Sequence, residues 1–89
     1  MSLEILFYDG KNKEDGQLIA FRGDEFSTLL ANGMGTIPHC NTVDLDRCID
    51  LKIFCVRVES ILAKLEPPHK KAKEIGSLIK HYRYLKLIN

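Results

Sequence analysis

The longest stretch without a helix-breaking residue limits the fold of this sequence most. Residues 42–66 form a run of 25 residues without glycine or proline, and two prolines follow at positions 67 and 68. Apolar side chains recur in this run at helical spacing on two sides, which predicts a long helix that is buried on both. The first stripe is Leu51, Phe54, Cys55, Val58, Ile61, Leu62 and Leu65, and the second is Leu45, Ile49, Ile53 and Val56.

The two prolines and the residues after them predict a second helix. Proline lacks an amide hydrogen, so it ends one helix but is accepted in the first turn of the next. Residues 68–88 place apolar side chains three and four positions apart, at Ala72, Ile75 and Ile79, so we expect a helix packed antiparallel on the first. Gly76 lies inside it and costs about 1 kcal/mol relative to alanine, which would be explained by a close helix crossing.

The residues before the long run predict a β-hairpin. Residues 3–8 and 17–22 are rich in strand-favouring side chains and are separated by a polar loop with a glycine at each end. Alternate side chains of a strand point to opposite faces, so one row of each strand should face the helices. The side chains expected in these two rows are Leu3, Ile5, Phe7, Leu18 and Ala20.

A short helix is predicted next, with Asp24 as its N-cap and a stop at Asn32 and Gly33. Phe26, Leu29 and Leu30 should form its apolar face. Residues 33–41 then make the longest irregular segment, which contains apolar side chains as well as two glycines and a proline. This segment is either a loop folded onto the core or part of a binding surface, and the first alternative is favoured.

These elements together predict a single small domain, residues 1–89, of the α+β class and mainly α. Its order is an N-terminal β-hairpin, a short helix and a long antiparallel helical hairpin, about 42–66 and 68–88. A chain of 89 residues buries only about 60 to 65% of its unfolded surface. The small core leaves apolar surface on the long helix, so we expect a homo-oligomer, most simply a dimer.

Composition and the first residues favour a soluble cytoplasmic protein of bacterial type. The sequence is 45% hydrophobic and 28% charged, as in folded globular chains. Its first residues lack the basic and apolar regions of a signal peptide, and its apolar runs are shorter than the roughly 20 residues of a membrane span. We therefore expect no membrane association.

The cysteines favour free thiols and do not indicate a metal site. Cys48 and Cys55 are seven residues apart, so on a helix they are separated by about 10 Å along the axis. His39 and Cys40 are adjacent in the sequence, and a zinc site would also need Cys48 and His69, without any of the usual ligand spacings. The prediction is no metal and no cofactor, with the cysteines as apolar core residues.

One short segment resembles a known signature. Residues 19–26, Ile-Ala-Phe-Arg-Gly-Asp-Glu-Phe, resemble the GGDEF motif of diguanylate cyclases, with Arg22 in place of the first glycine. The likeness covers about a dozen residues, and that family's domain is roughly twice as long as this chain. It therefore supports no functional prediction for this chain.

Charge is divided unevenly along the chain. Residues 1–66 contain 7 Lys and Arg against 11 Asp and Glu, whereas residues 67–89 contain 6 against one. A basic C-terminal helix suits either an acidic protein partner or the phosphates of a nucleic acid, although a solvated helix face has the same appearance. The residues predicted for such a contact are Lys70, Lys71, Lys73, Lys80 and Arg83.

No pairing of a nucleophile with a base stands out, so the sequence predicts no enzyme and no catalytic residue. We expect a homo-oligomeric interaction or regulatory module, with an unidentified protein partner also allowed. The alternative is a nucleic-acid-binding regulator that uses the basic C-terminal helix. The oligomer contact is predicted on the long helix, at Phe54, Val58, Ile61 and Leu62.

Overall fold

The computed structural model describes residues 2–9, 15–38, 43–44 and 49–88. It is a mixed α+β structure, as the sequence predicts. Predictions for Leu45, Cys40 and Cys48, and for the part of the central segment beyond residue 38, lie outside the described residues. The elements in chain order are β1 (Ser2–Tyr8), β2 (Gln17–Arg22), α1 (Asp24–Ala31), β3 (Val43–Asp44), α2 (Ile49–Lys64), α3 (Lys71–His81) and β4 (Tyr84–Ile88).

The strands form one antiparallel sheet in the order β2-β1-β4-β3. β1 pairs with β2 as the predicted hairpin, with Leu3 opposite Phe21 and Ile5 opposite Ile19. β4 pairs with the other side of β1, and the two-residue β3 adds to β4 opposite Leu85 and Tyr84. The first and last strands of the chain are therefore neighbours in the sheet.

The prediction of a long helical hairpin is wrong at its C-terminal end. α3 ends at His81, and the residues expected to be its last two turns form β4 instead. Leu85 and Leu87 are buried, whereas Tyr84, Lys86 and Ile88 are only partly buried, which is the alternation of a strand with one covered face. Pairing with β1 satisfies the backbone of this segment and outweighs its helical spacing.

One face of the sheet, called the inner face, contacts the helices. It consists of Leu3, Ile5, Phe7, Ile19, Phe21, Leu85 and Leu87, which join the buried residues of the three helices in one core. The predicted row in β2 is wrong by one position. The register places Ile19 and Phe21 beside Ile5 and Leu3, so Leu18 and Ala20 point to the opposite face. Both rows of β2 are apolar, and for that reason alternation alone did not separate them.

α2 is shorter than the predicted helix 42–66 because it begins at Ile49 and ends at Lys64, and Val43–Asp44 is strand. Its first apolar stripe is confirmed: Leu51, Phe54, Cys55, Val58 and Leu62 are buried, and Ile61 and Leu65 pack against them. For the two described side chains of the second stripe, the prediction of burial is wrong. Ile53 and Val56 are 49% and 46% exposed, because α2 is covered on one side only.

α2 and α3 pack together, and their contacts show that the pair is antiparallel. The amide of His69 donates to the carbonyl of Leu62 near the connection, whereas Gly76 faces Glu59, one turn further back on α2. A Cβ atom on Gly76 would lie 2.8 Å from the Glu59 carboxylate. Gly76 therefore faces a side chain of α2, and the close helix crossing predicted there stays a prediction.

α1 and the segment after it close one end of the core. The helix starts at Asp24, but Gly23 takes the N-cap position, and neither supplies a side-chain cap. Phe26 and Leu29 are buried, whereas Leu30 is 45% exposed and so falls outside the predicted apolar face. Met34 is fully buried in the loop that follows, as expected of a segment folded onto the core.

Candidate functional site

The predicted oligomer contacts lie on the buried side of α2. Phe54, Val58 and Leu62 are between 0 and 5% exposed, and Ile61 packs against the same core. These side chains hold the monomer together, so they are not available to a second copy. Self-association itself stays a prediction, and its contact residues have to be sought among the side chains that remain exposed.

Four large apolar side chains are about half exposed in the described part of the chain. Leu18 lies on β2 and Leu30 on α1, whereas Ile53 and Val56 lie on α2. The sequence carried a signal for the last two, because they belong to the second apolar stripe of α2. What it did not reveal is that this stripe faces outward.

The first candidate surface is the side of the sheet opposite the core, called the outer sheet face. Leu6 and Leu18 are cross-strand partners at its centre, and Leu6 also pairs with Lys86. Leu18 is 50% exposed, and Leu6 is partly exposed. Glu4 forms an ion pair with Arg22 on the same face. The residues of this face are Ser2, Glu4, Leu6, Tyr8, Leu18, Ala20, Arg22, Tyr84, Lys86 and Ile88.

Tyr8 and Tyr84 are cross-strand partners at one end of this face. Tyr8 is only 3% exposed, and its ring stacks on the ring of Tyr84 with 5.7 Å between centroids. Arg83 lies beside the same ring, with its guanidinium carbon 5.7 Å from the centroid. The accessible part of the outer sheet face is therefore centred on Leu6 and Leu18.

The second candidate surface is the exposed side of α2, called the α2 ridge. Ile53, Val56 and Ala63 follow one another at positions i, i+3 and i+10, which fall on one side of a helix. All three are exposed. Lys52 borders the ridge on one side, and Arg57 and Lys64 border it on the other, all of them exposed. Ser60 lies among these apolar side chains and Glu59 lies beside Lys52, both partly exposed, so cations outnumber carboxylates along the border.

The predicted basic contact is only partly available. Lys70, Lys73 and Lys80 are exposed along one side of α3, and Arg83 is exposed just after it. Lys71 differs from them because its ammonium group is engaged inside the molecule. It donates to the carbonyl of Ala20 at 2.7 Å and to a carboxylate oxygen of Glu25 at 2.8 Å.

Glu25 is the centre of a polar cluster that joins His69 and Lys71. Its two carboxylate oxygens lie 2.8 Å from Lys71 Nζ and 2.8 Å from His69 Nε2. The hydrogen bond from Lys71 is the main cause that lowers the pKa of the Glu25 carboxyl group below its ordinary value. The cluster ties α1 and the edge strand β2 to the first turn of α3.

His69 has a structural role in this cluster and does not act as a base. Its Nδ1 atom accepts a hydrogen bond from the backbone amide of Lys71 at 3.1 Å, so this nitrogen carries no proton. Nε2 therefore carries the ring proton and donates it to Glu25. With both nitrogens engaged, the imidazole has no free lone pair for proton transfer.

A second histidine lines an open hollow of about 340 Å³ together with Asp9 and Ser77. The combination suggests a catalytic triad, but the geometry does not activate the serine. His81 Nδ1 lies 2.8 Å from the carbonyl oxygen of Ser77, so it is the donor, and the Ser77 hydroxyl is 3.4 Å away. A protonated Nδ1 cannot accept the hydroxyl proton.

Cys55 is inert as a nucleophile and as a metal ligand. Burial raises the pKa of its thiol to about 12, because a thiolate would be desolvated in the apolar core. No three histidine, cysteine or acidic side chains among the described residues are arranged to hold a metal ion. No helix in the described ranges is long and apolar enough to cross a membrane.

Comparisons of the chain with models of protein families, with curated proteins and with solved structures found no match. The features of the molecule that bear on its function are therefore the two surfaces described above and the charges that surround each of them.

Proposed function

We propose that this protein is a small cytoplasmic interaction module that works as a homodimer and carries no catalytic activity of its own. The supporting observation is the outer sheet face, which keeps Leu6 and Leu18 partly exposed at the centre of an antiparallel sheet. Sheets of this kind commonly leave one face in water, but that face is then mostly polar. An apolar centre suits a partner that covers it.

A second copy fits this face because its charges are of both signs. In a twofold dimer the same surface of each copy meets the other, so a surface carrying a single sign of charge would repel itself. The outer sheet face carries Glu4, Arg22 and Lys86 around its apolar centre. Cations of one copy can therefore lie against the carboxylate of the other.

The geometry favours stacking of the faces over pairing of the sheet edges. β2 is an edge strand, and edge strands associate through unpaired backbone groups. The Lys71 ammonium group donates a hydrogen bond to the carbonyl oxygen of Ala20 in this strand. This oxygen is therefore not free to accept a hydrogen bond from an incoming strand. Face-to-face stacking requires no backbone hydrogen bonds between the copies.

The test compares two exposed leucines of similar accessibility. We expect Leu18→Asp to yield a folded monomer, because it places a charge at the centre of the dimer contact. Leu30→Asp on α1 is the matched control and should remain dimeric. Sedimentation equilibrium gives the mass, and circular dichroism confirms that each variant is folded. A wild-type monomer at every concentration, or a dimer that survives Leu18→Asp, refutes the proposal.

Nucleic-acid binding is the second candidate function, and one observation favours it. Lys70, Lys73 and Lys80 extend over about 15 Å along one exposed side of α3, within reach of successive phosphates. A duplex or single-stranded oligonucleotide should then bind with an affinity that falls steeply as salt increases.

The test replaces Lys70, Lys73 and Lys80 together by Glu, and we expect this variant to lose oligonucleotide binding. Lys71 stays unchanged, because its replacement would break the contact with Glu25 and confuse binding with stability. Binding that is insensitive both to salt and to the triple replacement excludes this candidate.

A further inference from the structure

The α2 ridge leads into a hollow at the corner between α2 and α3. This corner hollow has a volume of about 500 Å³, and its apolar lining comes from Ala63, Pro68 and Ala72. Ala63 belongs to both features, so the ridge and the hollow form one continuous surface. Its length from Ile53 to Ala63 is about 15 Å at 1.5 Å per residue.

The charge of the corner hollow comes from lysines alone. Lys70 and Lys73 line it, and no carboxylate is found among its described lining residues. His69 also lines it, but both nitrogens of its ring are held by Glu25 and by the amide of Lys71. Glu25 is in turn neutralised by Lys71. Neither lysine forms an ion pair within the part of the chain that the structure describes, so both present positive charge beside an apolar floor.

We infer that the α2 ridge and the corner hollow bind an acidic amphipathic helix of another protein. Apolar side chains of that helix lie on Ile53, Val56 and Ala63, and one of its carboxylates enters the hollow between Lys70 and Lys73. Its other acidic side chains meet the border formed by Lys52, Arg57 and Lys64. The inference does not depend on dimerisation, since the outer sheet face lies on the opposite side of the sheet.

The secondary structure of the partner follows from the backbone of α2. The ridge is formed by side chains on a helix, whose backbone groups bond within the helix. An extended peptide needs an open sheet edge to satisfy its own amides and carbonyls, whereas a helix satisfies them internally. A helix laid along the ridge can also place apolar side chains at spacings that match those of α2.

Charge distinguishes this partner from a second copy of the chain. A twofold pairing of α2 ridges would bring Lys52, Arg57 and Lys64 of one copy close to the same three cations of the other. Like charges across an interface weaken it and select against that partner. An acidic partner is attracted by the same cations, so charge complementarity favours it over self-association on this surface.

The test uses two synthetic peptides as long as α2, each with leucines on one side of a helix. One has glutamates on its other positions, and the matched control has lysines there. We expect the acidic peptide to bind and to shift the amide resonances of α2 and of the first turn of α3, whereas the lysine peptide leaves them unchanged. No binding of the acidic peptide at about 1 mM, or equal binding of both peptides, overturns the inference.

Protein variants separate the apolar contribution from the charges. Val56→Asp should weaken binding of the acidic peptide about tenfold or more, and so should Lys70→Glu combined with Lys73→Glu. Leu30→Asp is the control and should bind as the wild type does. Melting temperatures confirm folding, and Ala63→Arg provides a second ridge variant if Val56→Asp unfolds.

Two further ligands test whether the surface simply attracts anions. Vesicles of phosphatidylserine and phosphatidylcholine, and a duplex oligonucleotide, are titrated under the same conditions. If either binds more tightly than the acidic peptide and Val56→Asp does not weaken that binding, the inference is overturned in favour of a membrane or nucleic-acid partner. A wild-type monomer that binds the peptide would refute only the proposed homodimer.

Discussion

The outer sheet face and the α2 ridge expose apolar side chains to the same degree, yet they suit different partners. Leu18 on the sheet is 50% exposed and Ile53 on the ridge is 49% exposed. The sheet face carries Glu4 beside Arg22 and Lys86, whereas Lys52, Arg57 and Lys64 border the ridge, with Glu59 beside Lys52. Exposed apolar area shows that a surface can bind, and the surrounding charges indicate what it binds.

Both surfaces depend on one core between them, so the largest expected effect is a core substitution. Leu85 of β4 is fully buried on the inner sheet face. Leu85→Ala should lower the free energy of unfolding by about 2 to 5 kcal/mol, because it leaves a cavity that the neighbouring side chains cannot fill. Urea denaturation measures the change, and partial unfolding of this variant should weaken self-association and peptide binding together.

The neighbouring outer-face residue of β4 provides the control. Lys86→Ala removes a partly exposed side chain and should change the free energy of unfolding by less than about 1 kcal/mol. Equal effects of the two substitutions would contradict the assignment of inner and outer sheet faces. Loss of self-association in Lys86→Ala without loss of stability would instead strengthen the role of charge on the outer face.

The two surfaces also show how far the sequence alone could lead. The buried stripe of α2 and the first hairpin follow from local spacing, and the structure confirms them. The outer sheet face was not predicted as a surface, because β2 is apolar on both faces and only its register with β1 decides that Leu18 points outward.

β4 was missed for a related reason. Residues 84–88 alternate in the manner of a strand, but the run is short and directly follows a helix, so helical spacing explains it equally well. What decides between the two is pairing with β1, a strand at the other end of the chain. The cluster of Glu25, His69 and Lys71 likewise joins residues distant in sequence. Neither contact leaves a local pattern in the sequence.

That cluster tests whether the two surfaces can be separated, because its Glu25 carboxylate holds His69 beside the corner hollow, whereas it reaches the sheet through the hydrogen bond from Lys71 to the carbonyl of Ala20. Glu25→Gln should lower the free energy of unfolding by about 1 kcal/mol at neutral pH, since Lys71 and His69 lose a charged acceptor. Amide hydrogen exchange should become faster at the start of α3, and the outer sheet face should still support the dimer. Faster exchange throughout the sheet would contradict this separation.

The pH dependence of the same variant has a defined sign. The folded state holds the pKa of Glu25 below its ordinary value of 4.5, so ionised Glu25 stabilises the fold above that pH. The contribution is lost as pH falls through the lowered pKa, because over this range the unfolded chain binds the proton more readily than the folded one, and below it both states are protonated. The stability difference between wild type and Glu25→Gln should therefore be largest at neutral pH and should shrink in acid.

Glu74→Gln, on the exposed side of α3, is the control and should change the free energy of unfolding by less than about 0.5 kcal/mol at every pH. A difference that stays constant from neutral to acidic pH would mean that Glu25→Gln destabilises the fold through the shape of the side chain and not through the loss of its charge. The corner hollow would then depend on packing around His69 and not on the ion pair between Glu25 and Lys71.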